Sequence, residues 1–355
     1  MNNHQEFLKA GYKHFSAPAK LNLFLKIINR KSDGYHNLQS VFQLIDLQDD
    51  IYIKIRHSDT LINVVNSSLL IKPENDLSLR AAKLILLGRQ VGADIFVKKN
   101  IPIGAGLGGG SSNAATVFMA INKLCKYNLS KRDLIKKSLK LGADIPFFIN
   151  GENAWVEGVG DLLYTIKIPN STYVIVVPNL SISTKVIFSV FKLTNSSIPL
   201  KIASSYNIVR HDLIKNDLEE TVIKKYKKMA KLLNWMSCFG NAKMSGTGSS
   251  IFIRAKNLND KEWARKLFEE TQEITNSQGS NNADDYCYGL YSLANGICEY
   301  LKDKDWAIRL YQSAENRAES YLDLQRLGRG LSLKLGDMDW GKKVFSKGLE
   351  LARNE

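Results

Sequence analysis

A chain of 355 residues and 39.9 kDa, 44% hydrophobic and 24% charged, has an ordinary globular composition, which excludes disordered, collagen-like and coiled-coil chains. Single cores stop growing at roughly 250–300 residues, so two or three domains are expected. The net charge of +14 is uneven: from Leu258 on, 14 basic and 17 acidic residues give −3, leaving +17 before it, a field suited to polyphosphate, nucleic acid or anionic lipid, or simply a solvated lysine-rich surface.

The first residues, MNNHQEFLKAGYKHF, hold no apolar core of signal-peptide length, and no stretch approaches the roughly 18 apolar residues of a bilayer span. No membrane association is expected. KLNLFLKII and DDIYIKIRH cluster β-formers as strands do; DLSLRAAKLILLGRQ has helical spacing, and ADIFVKKNIPIG reads as strand and turn. That turn runs into GAGLGGGSS and the apolar-periodic NAATVFMAINKLCKY, so a glycine-rich loop opens a helix. SKRDLIKKSLKLG is a second helix with a capping box from Ser130 to Asp133. TYVIVVPNL reads as a buried strand, VIFSVFKL and LEETVIKKYKKMAKLLNWM as helices, and AKMSGTGSSIFIRA as another glycine loop beside a strand. The order suggests α+β layers.

Past Asn257 only helical patterns remain. Asp303–Ala318 realigns with Asp337–Ala352 at an offset of 34 residues, and the pairs Leu293/Leu327, Gly296/Gly330, Trp306/Trp340 and Tyr311/Phe345 keep that register. Asp260–Glu270 is a third copy. A 34-residue helix-pair period resembles tetratricopeptide-like stacking, for which a protein partner is one expectation and a packing appendage the other. The four cysteines form no C-x-x-C pair and are too sparse for a disulfide framework, so a cytoplasmic location is expected. No arginine-rich helix, zinc spacing or aromatic RNA-binding motif appears, and no nucleic-acid partner is expected.

Chemistry concentrates in three places. In Pro102-Ile-Gly104-Ala-Gly106-Leu107-Gly108-Gly109-Gly110-Ser111-Ser112, glycines let backbone amides converge on an anion and the following helix adds its positive end, so phosphate is the natural guest. Gly104, Gly106 and Gly109 also satisfy G-x-G-x-x-G, but the loop lies too deep in the chain for a first βα unit, and the absence of G-K-[ST] excludes a P-loop. Lys20 and Asn22 in the apolar strand at Ala17–Leu25, and Asp144 in GADIPFF, are lone polar groups that read either as structural pairs or as a carboxylate base with its cation.

Together Pro-Ala-Lys-Leu-Asn, the triple-glycine loop and Met244-Ser-Gly-Thr-Gly-Ser-Ser250 resemble the three motifs of the galactokinase, homoserine kinase, mevalonate kinase and phosphomevalonate kinase superfamily. Within it, Lys20-Leu-Asn-Leu, Asp33-Gly-Tyr-His36 and Gly-Ala-Asp-Ile-Pro-Phe-Phe are similar to the 4-diphosphocytidyl-2-C-methyl-D-erythritol kinases. The resemblance covers about Phe15 to Ile253. It implies an α+β, two-domain small-molecule kinase fold, with a ribosomal-S5-like N-terminal domain at 1–168, a ferredoxin-like C-terminal domain at 169–257, and a helical tail at 258–355. It implies ATP-dependent phosphorylation of the 2-hydroxyl of a cytidyl-diphosphate methylerythritol, with Mg²⁺, in non-mevalonate isoprenoid synthesis. Asp144 would match the catalytic base and Lys20 its partner. Pro102, Gly104, Gly106, Leu107, Gly108, Gly109, Gly110, Ser111 and Ser112 would wrap the ATP phosphates, with Gly246, Thr247 and Gly248 beside them. Asn22, Tyr35, His36 and Phe188 would meet the substrate, the two aromatic rings stacking on the pyrimidine. Family members finish with a further helix and strand soon after the third motif, and no obvious terminal strand follows here. The alternative reading is therefore a catalytically impaired kinase-like scaffold with a protein-binding tail.

Overall fold

The computed structural model describes residues 3–67, 71–169, 171–193, 199–200, 215–254, 269, 272, 290–291, 293–295, 297–298 and 302–354. The chain divides into two compact units, Met1–Ala255 and Lys256–Glu355.

In the first unit a short helix α1 (Asn3–Lys9) precedes two long antiparallel strands, β1 (Lys13–Arg30) and β2 (His36–Arg56). Then come β3 (Ile62–Asn66), helix α2 (Leu77–Ile85), β4 (Gly92–Lys98) and helices α3 (Gly109–Leu124), α4 (Lys131–Ser138) and α5 (Ile145–Asn150). The hairpin β5 (Ala154–Glu157) and β6 (Leu162–Thr165) completes a six-stranded sheet ordered β3-β4-β2-β5-β6, with β1 along the other edge of β2. The predicted capping box forms: Ser130 Oγ accepts from Asp133 N while Asp133 Oδ2 accepts from Ser130 N.

Pro18 has no N–H to give to a ladder, and the β1–β2 register slips at Pro18/Ala19 and again at Asn22/Leu25. Lys20 and Asn22, two residues apart and so on one face, stand between these irregularities. On one side of the sheet Phe42, Ile51, Ile53, Ile95 and Val97 pack with Ala81, Ala82 and Ile85 of α2, Ala114, Val117, Phe118 and Ile121 of α3, and Phe147 of α5. A second core joins Leu21, Leu23, Phe24, Val41, Leu107 and Trp155 to Phe252, with Tyr173 and Ile175 against it.

Those last residues belong to a three-stranded antiparallel sheet ordered β7-β9-β8, made of β7 (Tyr173–Val176), β8 (Lys243–Met244) and β9 (Ile251–Arg254). It carries helices α6 (Thr184–Val190), α7 (Glu219–Lys225) and α8 (Lys227–Ser237). The long helix expected over LEETVIKKYKKMAKLLNWM is two, because Tyr226 adopts an extended backbone (φ −122°, ψ 94°) between them.

The second unit is helical where described: α9 (Lys304–Glu315), α10 (Tyr321–Gly330), running on into a wider turn at Leu331–Leu335, and α11 (Met338–Asn354). The 34-residue register has a local cause. Asp303 Oδ1 accepts from Trp306 N at the start of α9, and Asp337 Oδ1 accepts from Trp340 N at the start of α11. Leu293 and Leu327 are both buried and Tyr311 is fully buried, whereas its counterpart Phe345 is 37% exposed. The third copy, apart from Glu269, and Gly296 lie outside the described residues.

Candidate active site

The glycine loop is built by close approaches that side chains would block. Gly104, Gly106 and Gly108 have φ of +72°, +75° and +73°. A Cβ on Gly106 would lie 2.6 Å from Ser245 O, and one on Gly108 would lie 2.7 Å from the Phe148 ring and 3.2 Å from Lys20 Cγ. The loop is stitched to its neighbours by Lys20 N donating to Leu107 O (3.0 Å) and Ser250 N to Ala105 O (3.0 Å).

Gly108 then caps α3, whose first-turn amides have no intrahelical acceptors and carry the helix's partial positive charge. They open on a cleft of about 380 Å³ lined by the whole run Pro102–Ser111 and by Asn113. Its facing wall, Asn66, Ile71, Lys72, Asn75, Asp76, Leu77, Ser78 and Lys99, carries no motif and was not anticipated from sequence. Lys99 is held by an ion pair with Asp49, a fully buried carboxylate that also accepts from Asn100 N (2.6 Å) and Ile101 N (2.8 Å). That acid therefore fixes both a cleft cation and the entry to the loop.

Lys20 and Asp144, 124 positions apart in sequence, meet here. Lys20 Nζ is 3.6 Å from Asp144 Oδ2, donates to Asn22 Oδ1 and sits 4.4 Å from the centre of the Phe42 ring. Burial pushes the Lys20 ammonium below the ordinary lysine range, and Asp144 pulls part of that back. Asp144 takes the N-cap position of α5 without capping it, so its carboxylate is left to Lys20 and to solvent, at 34% exposure. Asn22 is held from three sides: its N donates to Ser245 Oγ (3.1 Å), its Nδ2 to Ser40 Oγ (3.1 Å), and its Oδ1 takes the lysine.

The other expected residues divide. His36 is buried and its ring lies 5.4 Å from Phe188 and 6.0 Å from Phe191; burial, then the charge of Arg30, lowers its pKa. Tyr35 is 66% exposed and makes no ring contact with another described residue, so the structure brings His36 and Phe188 together but not Tyr35 against either. Ser112 is fully buried and does not line the cleft. Gly246, Thr247 and Gly248 also lie off its walls. They back the loop instead, since the Gly106 Cβ position is 2.7 Å from Gly248 O, and Thr247 Oγ1 reaches Thr184 Oγ1 of α6 at 2.9 Å.

The chain is similar to known kinases in sequence and in fold. The chain matches the GHMP kinases N terminal domain over residues 76–152 and the GHMP kinases C terminal domain over residues 207–270. It is 42% identical over 245 residues to the 4-diphosphocytidyl-2-C-methyl-D-erythritol kinase of Herminiimonas arsenicoxydans, covering 68% of this chain and 85% of that one. The kinases of the same name from Paraburkholderia xenovorans (44%, covering 66% of this chain and 83% of that one) and Neisseria meningitidis serogroup B (42%, 70% and 88%) are comparably similar. A crystal structure of a 4-(cytidine 5'-diphospho)-2C-methyl-D-erythritol kinase superposes with a TM-score of 0.63 at 29% identity, over 73% of this chain and 94% of that one. Mevalonate kinase of Methanococcus jannaschii shares the fold, with a TM-score of 0.53 at 18% identity, over 73% and 95%. By identity and coverage together, the chain belongs to the 4-diphosphocytidyl-2-C-methyl-D-erythritol kinase family of the GHMP kinases.

Proposed function

We propose that the chain transfers the γ-phosphoryl group of ATP to the 2-hydroxyl of 4-diphosphocytidyl-2-C-methyl-D-erythritol, the reaction named for its relatives. The observation that carries this reading is the Lys20–Asp144 pair, 3.6 Å apart, next to a glycine loop that opens a helix onto a cleft. Asp144 accepts the hydroxyl proton as the oxygen attacks phosphorus, and the bond to the leaving phosphate oxygen breaks in line. Lys20 keeps that carboxylate ionised and oriented, and Asn22 orients Lys20. Amides of Gly108–Ser111 and the start of α3 receive the phosphates.

Among the described residues no cluster of three His, Cys, Asp or Glu could hold a metal ion. The cleft wall carries the Ser111 hydroxyl and the Asp76 carboxylate, a sparse set of hard donors that fits Mg²⁺ keeping most of its shell as water and phosphate oxygen. Mg²⁺ bound there would offset phosphate charge. Within the same proposal His36 reads the pyrimidine edge, Phe188 offers a stacking face, and exposed Tyr35 closes over the other face when substrate arrives.

Three further expectations belong to this reading. The kinase part comprises an N-terminal domain at 1–168 and a C-terminal domain at 169–257, ahead of the helical tail. A cytoplasmic setting is supported by free thiols at Cys125, Cys238 and Cys298, and no helix among the described residues is long and apolar enough to cross a membrane. A protein partner for the tail is supported by Met338, Phe345 and Leu349, all exposed and recurring on one side of α11. The test of the chemistry is Asp144→Asn: turnover is expected to fall by about 10²–10⁴ with the fold retained. Near-normal turnover would remove Asp144 from the role of base.

A further inference from the structure

We propose that Asn216 is a positioning residue that pins the Met244–Ser250 loop to β1 and, through that loop, sets both the Lys20–Asn22 pair and the phosphate-binding loop; this rests on the kinase reading above. Asn216 neither lines the cleft nor touches Lys20 or Asp144, yet it is only 4% exposed and its side-chain amide is fully engaged. Its Nδ2 donates to Met244 O (2.9 Å) and Gly246 O (2.6 Å), and its Oδ1 accepts from Leu218 N (3.0 Å). Its backbone bridges Leu25 of β1, and the next residue fastens the same strand: Asp217 N donates to Leu25 O (2.8 Å) and Asp217 Oδ2 accepts from Ile27 N (2.7 Å).

The two clamped carbonyls flank Ser245, which accepts from Asn22 N (3.1 Å) and donates to Gly106 O (3.3 Å). Gly246, at φ +59°, comes so near Asn22 that a Cβ there would lie 3.2 Å from Asn22 Oδ1, the oxygen that receives Lys20. One amide therefore fixes the segment that touches both halves of the reaction machinery. Only a group with two donors and one acceptor at this size satisfies the site. Aspartate would turn oxygen toward two carbonyls.

The experiment compares full-length wild type with Asn216→Asp and Asn216→Ser. It measures kcat, KM for each substrate, melting temperature, and amide hydrogen exchange in peptides spanning 104–109 and 244–250. In Asn216→Asp, kcat should fall and KM for ATP should rise, together lowering kcat/KM for ATP at least about tenfold, the scale of one buried hydrogen bond, while KM for the cytidyl substrate moves less than about threefold. Exchange in both peptides should accelerate by at least about tenfold, with Asn216→Ser intermediate because it keeps one donor. Should Asn216→Asp not fold, Asn216→Ser carries the same readouts. Wild-type kcat in the folded variant, or faster exchange confined to 215–219, overturns the proposal. If wild type itself transfers no phosphoryl group, the kinase reading fails separately, and the exchange at 104–109 alone decides this one: acceleration in the variants supports it and unchanged exchange overturns it.

Discussion

Replacing Lys20 with methionine keeps the length and apolar stem of the side chain and removes only its charge. At the observed 3.6 Å, with the effective dielectric of about 20 that protein ion pairs obey, the attraction to Asp144 is about 4–5 kcal/mol. Asp144 is 34% exposed, so solvent screening trims this, and about 2–3 kcal/mol is a fair expectation for what the lysine contributes to holding the carboxylate charged and in place. At 1.4 kcal/mol per decade, Lys20→Met should lower kcat about 10²-fold.

Stability is set by two opposing effects: methionine removes the desolvation cost of the buried ammonium, but it leaves the buried Asn22 Oδ1 without its donor and Asp144 without its cation, so the melting temperature should hold or fall modestly. The pH dependence has a definite sign. The folded-state pKa of Lys20 lies below its unfolded value of 10.5, so the unfolded chain binds more protons between the two values and stability from this group rises with pH across that window. Activity should move the other way, falling as pH rises through the depressed value. Steady-state assays from pH 6 to 10 with a parallel thermal melt decide the matter. A Lys20→Met variant with near-normal kcat, or one whose loss merely tracks unfolding, would refute the reasoning.

Two other perturbations test separate parts of the site. Gly106→Ala places a methyl group 2.6 Å from Ser245 O on a backbone at φ +75°; a destabilisation of at least about 1–3 kcal/mol and weakened ATP binding are expected, and a normal melt with normal ATP titration would show that the loop has room. The folded-state pKa of His36 lies below 6.5, so stability from this group falls as pH drops from 6.5 through the folded value. The KM for the cytidyl substrate should rise over the same range while that for ATP stays level, and a His36 resonance titrating at or above 6.5 would contradict this.

Much of the site was legible because its residues break local rules. A lysine and an asparagine in an apolar strand, a lone carboxylate in GADIPFF and five glycines at the start of a helix each demand an explanation, and all three features converge in space. What sequence did not reveal are ordinary residues made useful by position. Asp49 is one acid in DLQDD and Lys99 one lysine of many, and nothing marks them as a pair. Asn216 is one asparagine in an asparagine-rich chain.

Elements were missed for similar reasons. Only the second half of β2 reads as strand, because its first half, from His36, mixes polar residues that are buried where β1 and β5 flank it. AWVE and LLYT are too short to show a period, although Gly158 and Gly160, both at positive φ, mark the turn between them. The break at Tyr226 lies within an unbroken helical pattern, so propensity gives no sign of it.

The most direct test of the central claim is a mass-resolved transfer assay of the full chain with ATP, Mg²⁺ and 4-diphosphocytidyl-2-C-methyl-D-erythritol. One added phosphoryl group on the substrate, with ADP formed in equal amount, is the predicted result. Folded protein that binds ATP but leaves the substrate unmodified would contradict the account and favour an inactive kinase-like scaffold.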